Sequence, residues 1–138
     1  SPARVFAAWA EPRVKVRWFV GPDEHQSSGH ELDFRVGGRE RVSGGPPGGH
    51  VYTFEARYMD IVPDERIVYT YEMHMDEARI SVSVATLELR PEGAGTKLIL
   101  TEQGVFLDGL DKVAAREQGT HGLLDKLGVE LGREGART

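Results

Sequence analysis

Cysteine is absent from the 138 residues. That excludes a disulfide scaffold, cysteine-ligated zinc, iron–sulfur clusters and thiol catalysis. A surplus of positive charge is also missing: 17 Lys and Arg stand against 22 Asp and Glu, a net charge of −5. Binding along a phosphate backbone needs excess basic residues, so a nucleic-acid partner is not expected. No apolar run approaches the roughly 18 residues of a membrane span. The N-terminus lacks the charged-then-apolar order of a secretory leader. A soluble protein of the cytoplasm, without a membrane span, is the expectation.

What is present suffices for a core. Phe, Ile, Leu and Val make up about a quarter of the chain, above the roughly one-fifth level below which disorder sets in. The length predicts a single domain over residues 1–132, followed by a frayed tail at 133–138.

Ser1-Pro2 reads as a helix start, a good cap followed by proline where no N–H is needed. Val5, Phe6 and Trp9 then share a face. Glu11-Pro12 ends that helix and starts a second over 13–19, with Val14 and Trp18 four apart, stopped by Gly21-Pro22. From residue 28 the period becomes two. Leu32, Phe34 and Val36 alternate with Glu31, Asp33 and Arg35, and Gly37-Gly38 turns the chain into a polar strand at 39–43, expected at a sheet edge. A flexible loop at 43–49 follows, without the Lys-Ser/Thr of a phosphate-binding loop. Strands are predicted over 50–62, 66–75, 78–90 and 96–103. In 78–90, Ile80, Val82 and Val84 alternate first and Leu87 and Leu89 later, which places a bulge near Ala85-Thr86. The short connections demand an antiparallel meander. Leu110, Val113, Glu117, Thr120, Leu124, Leu127 and Leu131 then mark one face of a long helix, with Asp108 as cap and Gly132 as stop. The simplest burial of these faces lays that helix across a bent sheet, an α+β arrangement.

Several segments carry a resemblance. They are Pro2, Val5-Phe6-Ala7-Ala8-Trp9, Pro12, Trp18 and Pro22; Asp33-Phe34-Arg35-Val36-Gly37-Gly38; Ile61 to Thr70; Gly95-Thr96-Lys97-Leu98; and Gly119 with Leu124-Asp125-Lys126-Leu127. Together they resemble proteins similar to the activator of the ninety-kilodalton heat-shock chaperone ATPase, within the START-like or SRPBCC superfamily. The resemblance implies a helix-grip fold: a curved antiparallel sheet wrapped around a long C-terminal helix, with two short N-terminal helices and an apolar cavity. Such proteins begin with a strand before the first helix, whereas this chain opens at the helix cap. One sheet edge is therefore expected to be unpaired. They also carry Trp after the glycine of the last helix, where this chain has Thr120.

The expected function is enclosure of a small hydrophobic or amphipathic ligand between the last helix and the sheet. The residues expected to line it are Trp18, Phe34, Tyr52, Phe54, Tyr69 and Tyr71, with Val82, Leu100, Glu117, Thr120 and Leu124. Ligand pockets are mostly apolar with a few placed polar groups, which suits Glu117 and Thr120 inside the stripe, with His121 beside them. Gly119 and Gly122, costly within a helix, would fit a close approach to the sheet or a kink. The resemblance implies an alternative, a chaperone-interacting module. A third is a cyclase- or hydrolase-type enzyme acting on a polyketide-like or aromatic substrate, for which Glu102 and Glu117 would form a two-carboxylate site. Trp9 and Trp18 suit either the core or the cavity mouth. Asp33 and Arg35 are expected to form solvated or cross-strand ion pairs. The five histidines, His25, His30, His50, His74 and His121, contain no short ligand pair, so neither a metal nor another cofactor is expected. A monomer or a homodimer through the strand at 39–43 is expected.

Overall fold

The computed structural model describes residues 1–19 and 26–136. Ser1 caps α1 (Pro2–Ala10), its Oγ accepting the Arg4 backbone N–H at 3.4 Å. The chain bends at Glu11 into α2 (Pro12–Phe19). The expected stop at Gly21-Pro22 lies outside the described residues. The two helices are joined by Trp18, whose indole N–H donates to the Ala8 carbonyl at 3.0 Å, and by edge-on packing of Trp9 and Trp18 with centroids 4.7 Å apart. The fully buried positions of α2 are Lys15 and Trp18, three apart, while Val14 is only half-buried.

Six antiparallel strands follow in sequence order across one sheet: β1 (Gln26–Leu32), β2 (Arg39–Gly45), β3 (Tyr52–Val62), β4 (Arg66–Met75), β5 (Ala78–Glu92) and β6 (Gly95–Phe106). Asp64 and Asp76, in the β3–β4 and β4–β5 turns, have positive φ of 64° and 54°. Aspartate tolerates that region better than most side chains.

Three expectations change. The strand at 28–36 stops at Leu32, because Arg35 and Gly38 fold back onto the carbonyls of Asp33 and Arg35, leaving Val36 exposed. Asp33 and Arg35 form an exposed ion pair at 2.8 Å. The strand at 39–43 is not an edge: β2 lies between β1 and β3, which removes the basis for a dimer through it. The slip in β5 also lies earlier than Ala85-Thr86. The register shifts opposite Met73 and His74, so Ile80 and Ser81 are both buried. Beyond the slip, Ser81, Ser83, Ala85, Leu87 and Leu89 face inward, and Val82 and Val84 are turned to the convex, exposed face. Hydrophobicity favoured the valines for the core; the bulge reversed the alternation and put serines there.

The last helix, α3 (Val113–Ala136), starts later than expected and passes Gly132 without stopping. Asp108 is a turn residue with φ of 57°, not its cap. α3 packs against α1 and α2. Leu124, Leu127 and Leu131 join a core formed with Trp9, Trp18, Tyr58, Tyr69 and Leu87. The result is the helix-grip arrangement, a curved sheet with a helix across its concave side. No helix among the described residues is long and apolar enough to cross a membrane.

Candidate functional site

A half-open cleft of about 760 Å³ lies between the concave sheet face and the first half of α3. The size of the helix side chains explains the space. α3 brings Ala115, Gly119, Thr120 and Gly122 to the wall, and these offer little volume to fill it. The opposite wall is aromatic. Trp18 and Phe19 come from α2, Phe54 from β3, and Tyr69 and Tyr71 from β4. The Phe54 centroid lies 4.9 Å from those of both Phe19 and Tyr71, so the rings form one continuous surface. A volume between roughly 300 and 1,000 Å³ is typical of small-molecule sites.

One part of the cleft wall is polar. Arg116 reaches from α3 to the sheet, donating to the Tyr71 hydroxyl at 3.2 Å and to Ser81 Oγ at 2.9 Å. Asp111 accepts from the same guanidinium at 2.6 Å and neutralises it. The Arg116 guanidinium also lies 5.1 Å from the Phe106 ring centroid. Tyr71 in turn donates its hydroxyl hydrogen to Glu102 Oε1. Burial pushes the Glu102 carboxyl above the usual carboxylate range, against the opposing pull of Arg116.

Eight of the residues expected at a ligand lie on this wall: Trp18, Tyr52, Phe54, Tyr69, Tyr71, Leu100, Thr120 and Leu124. Three do not. Phe34 packs edge-on against Phe6 and Tyr58 in the core. Val82 is on the convex face. Glu117 is 70 % exposed and pairs with His121 one helical turn away, at 3.8 Å. Glu102 and Glu117 therefore do not form a two-carboxylate site. Nor do Gly119 and Gly122 approach the sheet closely, since a Cβ at either would meet nothing within 4 Å.

Arg116 escaped the sequence reading. The apolar stripe predicts Val113 and Glu117 on the inner face, and both are exposed. A stripe drawn back from Leu127 through Leu123 and Thr120 arrives at Arg116 with the same three-and-four spacing. Lys15 is not found by apolar spacing either, because Val14 and Trp18 carry the four-residue spacing of α2 and a lysine does not register in it.

Lys15 belongs to a buried ionic cluster behind the aromatic wall. Its Nζ lies 2.6 Å from Glu40 Oε1, and the Tyr58 hydroxyl donates to that same oxygen at 2.6 Å. His30 Nε2 stands 2.6 Å from the other oxygen. Lys15 also sits 4.3 Å from the centroid of Phe19, a ring of the cleft wall. Burial lowers the Lys15 pKa, with Glu40 opposing. Burial pushes Glu40 up, but Lys15, His30 and Tyr58 together outweigh it and hold the carboxyl below the usual range. Tyr58 is pushed up, by burial first and then by Glu40.

On the convex face Glu55, Glu72 and His74 bring ligand atoms within 4.8 Å of one another. The two carboxylates already accept from Arg41 at 3.0 Å and Arg79 at 2.8 Å, so the trio is a set of surface ion pairs.

The model of the family described as Activator of Hsp90 ATPase homolog 1-like protein matches residues 1–132. The chain belongs to this family. Among solved structures, a protein of Rhizobium leguminosarum is 46% identical, with a TM-score of 0.91, over 96% of this chain and 87% of that one. A protein of Rhizobium loti is 45% identical, with a TM-score of 0.86, over 94% of this chain and 88% of that one. The solution structure of an AHSA1-like protein from Aeromonas hydrophila, 19% identical, superposes with a TM-score of 0.69 over 98% of this chain and 87% of that one. The last is a likeness of fold alone. No curated protein matches. The family agrees with the resemblance read from the sequence and with the START-like architecture.

Proposed function

We propose that this family member binds a small, largely apolar ligand, aromatic in its main part, in the cleft between α3 and the concave sheet face. The observation that carries this reading is the pairing of an unfilled volume of about 760 Å³ with a continuous aromatic wall and a polar cluster around Arg116. A flat aromatic body would stack against Phe54 and its neighbours with favourable offset or edge-on geometry. Trp9 and Trp18, the protein's two tryptophans, both lie on the wall, so their emission should respond to occupancy.

The test is a fluorescence titration with N-phenylnaphthylamine, an uncharged aromatic probe. Saturable binding to one site is expected. Gly119→Phe should weaken it at least tenfold while leaving the circular dichroism spectrum unchanged, because Gly119 lies on the cleft wall and a Cβ there would meet nothing within 4 Å. Absence of saturable binding, or equal binding by the variant, refutes the reading.

The family description favours a second reading, a chaperone-interacting module. Retention on an immobilised ninety-kilodalton chaperone, persisting in Gly119→Phe, would support it. No retention at high micromolar concentration removes it.

A further inference from the structure

The polar side chains of the wall form a directed chain. Asp111 holds Arg116, Arg116 donates to the Tyr71 oxygen, and Tyr71 donates to Glu102 Oε1. Arg116 donates to both Asp111 and the Tyr71 oxygen, and the Tyr71 O–H uses one acceptor site of Glu102. The other oxygen, Oε2, has no hydrogen-bond partner among the described residues. Glu102 is half-buried on the concave face, opposite Ala85 in the β5–β6 register, and on the cleft wall. The Arg116 charge is already paired with Asp111, and its other hydrogen bonds among the described residues go to Tyr71 and Ser81, so it offers an anionic ligand no uncompensated charge. A second anion beside Glu102 and Asp111 would also be repelled.

We propose that Glu102 Oε2 is the ligand-orienting acceptor of this cleft, and that the ligand is an uncharged aromatic molecule presenting an O–H donor to it, a phenol in its simplest form. This rests on the cleft being a ligand site and names the chemistry that site selects. Tyr71 and Arg116 are positioning residues: they fix the carboxylate so that one lone-pair region points at the bound ring system. An ionised acceptor in a largely apolar site makes a stronger hydrogen bond than a neutral one.

The groups around Glu102 set the pH response. Tyr69 and Tyr71 face it from β4, and Arg116 from α3; Asp111 and Lys126 also lie on the cleft wall. Tyr69 is pushed far up by burial and by the charges of Glu40 and Glu102, so it stays neutral. Glu102 itself titrates above the ordinary carboxylate range. Acceptance by the carboxylate is therefore complete above that raised value and is lost as the pH falls through it.

The experiment compares β-naphthol with its methyl ether as competitors for N-phenylnaphthylamine on the wild-type protein. The ether keeps the ring system and the oxygen acceptor and lacks the O–H donor. At a pH above the Glu102 titration, β-naphthol should compete about tenfold better, the usual scale of one hydrogen bond to a charged acceptor. Glu102→Leu should erase that preference while the ether still binds. On wild type, the preference should shrink on acidification, a readout independent of the variant's folding. Equal competition by the two on wild type, or a preference for the ether, overturns the inference and leaves the cleft as a ligand site. Failure of N-phenylnaphthylamine and both competitors to bind overturns the cleft reading and the inference with it.

Discussion

Lys15 and Glu40 set the largest electrostatic stakes in the molecule. Both side chains are 1 % exposed, and their charges balance each other, with His30 and the Tyr58 hydroxyl hydrogen-bonded to Glu40. Removing one member leaves a buried charge without its counter-ion. Lys15→Ala should cost about 3–5 kcal/mol in urea denaturation. The double variant Lys15→Met with Glu40→Leu should recover most of that loss, because replacing both charges by apolar groups removes the desolvation cost as well. Unchanged stability in Lys15→Ala would refute this account. The pH dependence follows from Glu40, whose folded carboxyl lies below its ordinary value of 4.5. Its contribution is fully present above that value and is lost as the pH falls through the lower folded one.

Among the elements, α3 is divided. Its second half carries Leu124, Leu127 and Leu131 into the core; its first half borders the cleft and is tied to the sheet by Arg116. Five glycines lie in the helix, and at four of them, Gly119, Gly122, Gly128 and Gly132, a Cβ would meet nothing within 4 Å. Packing therefore does not require them. Gly128 is exposed and is not on the cleft wall, so Gly128→Ala should stabilise the protein by roughly 0.5–1 kcal/mol through helix propensity alone. A loss of stability, measured by the urea midpoint, would mean that the glycine serves a contact outside this structure. The division of α3 also explains the misplaced helix stripe. Leu110 and Val113 are apolar but exposed, whereas Arg116 is polar and largely covered, because its guanidinium finds Tyr71, Ser81 and Asp111. Hydrophobic periodicity cannot register a polar residue buried by its partners.

For the whole molecule, the cleft means that a ligand should add stability that the empty protein lacks. A ligand binding only the folded state at a hundredfold excess over its Kd adds about 2.7 kcal/mol. For a chain of this length that corresponds to a Tm rise of roughly 8–12 °C. N-phenylnaphthylamine should raise the Tm of the wild type in a calorimetric scan and raise that of Gly119→Phe by about half as much or less. An equal rise in both would place the binding elsewhere.

Much of this protein was written in local pattern. The cap at Ser1, the alternation of Tyr52, Phe54, Ala56 and Tyr58, the aspartate turns and the leucines of α3 each follow from propensity and burial along a few adjacent residues. They suffice for an antiparallel sheet with a helix across it, and eight of the eleven expected ligand residues lie on the cleft wall because they share those inward faces. Tertiary structure decided the rest. A bulge opposite Met73 and His74 set which face of β5 points inward, sending Val82 outward and Ser81 in. Partners distant in sequence made Lys15, Glu40 and Arg116 interior residues. The cleft itself depends on small helix residues meeting an aromatic sheet across space. Periodicity reports which side of an element is apolar, but charge pairing, register slips and unfilled volume belong to pairs of elements and appear only when those elements meet.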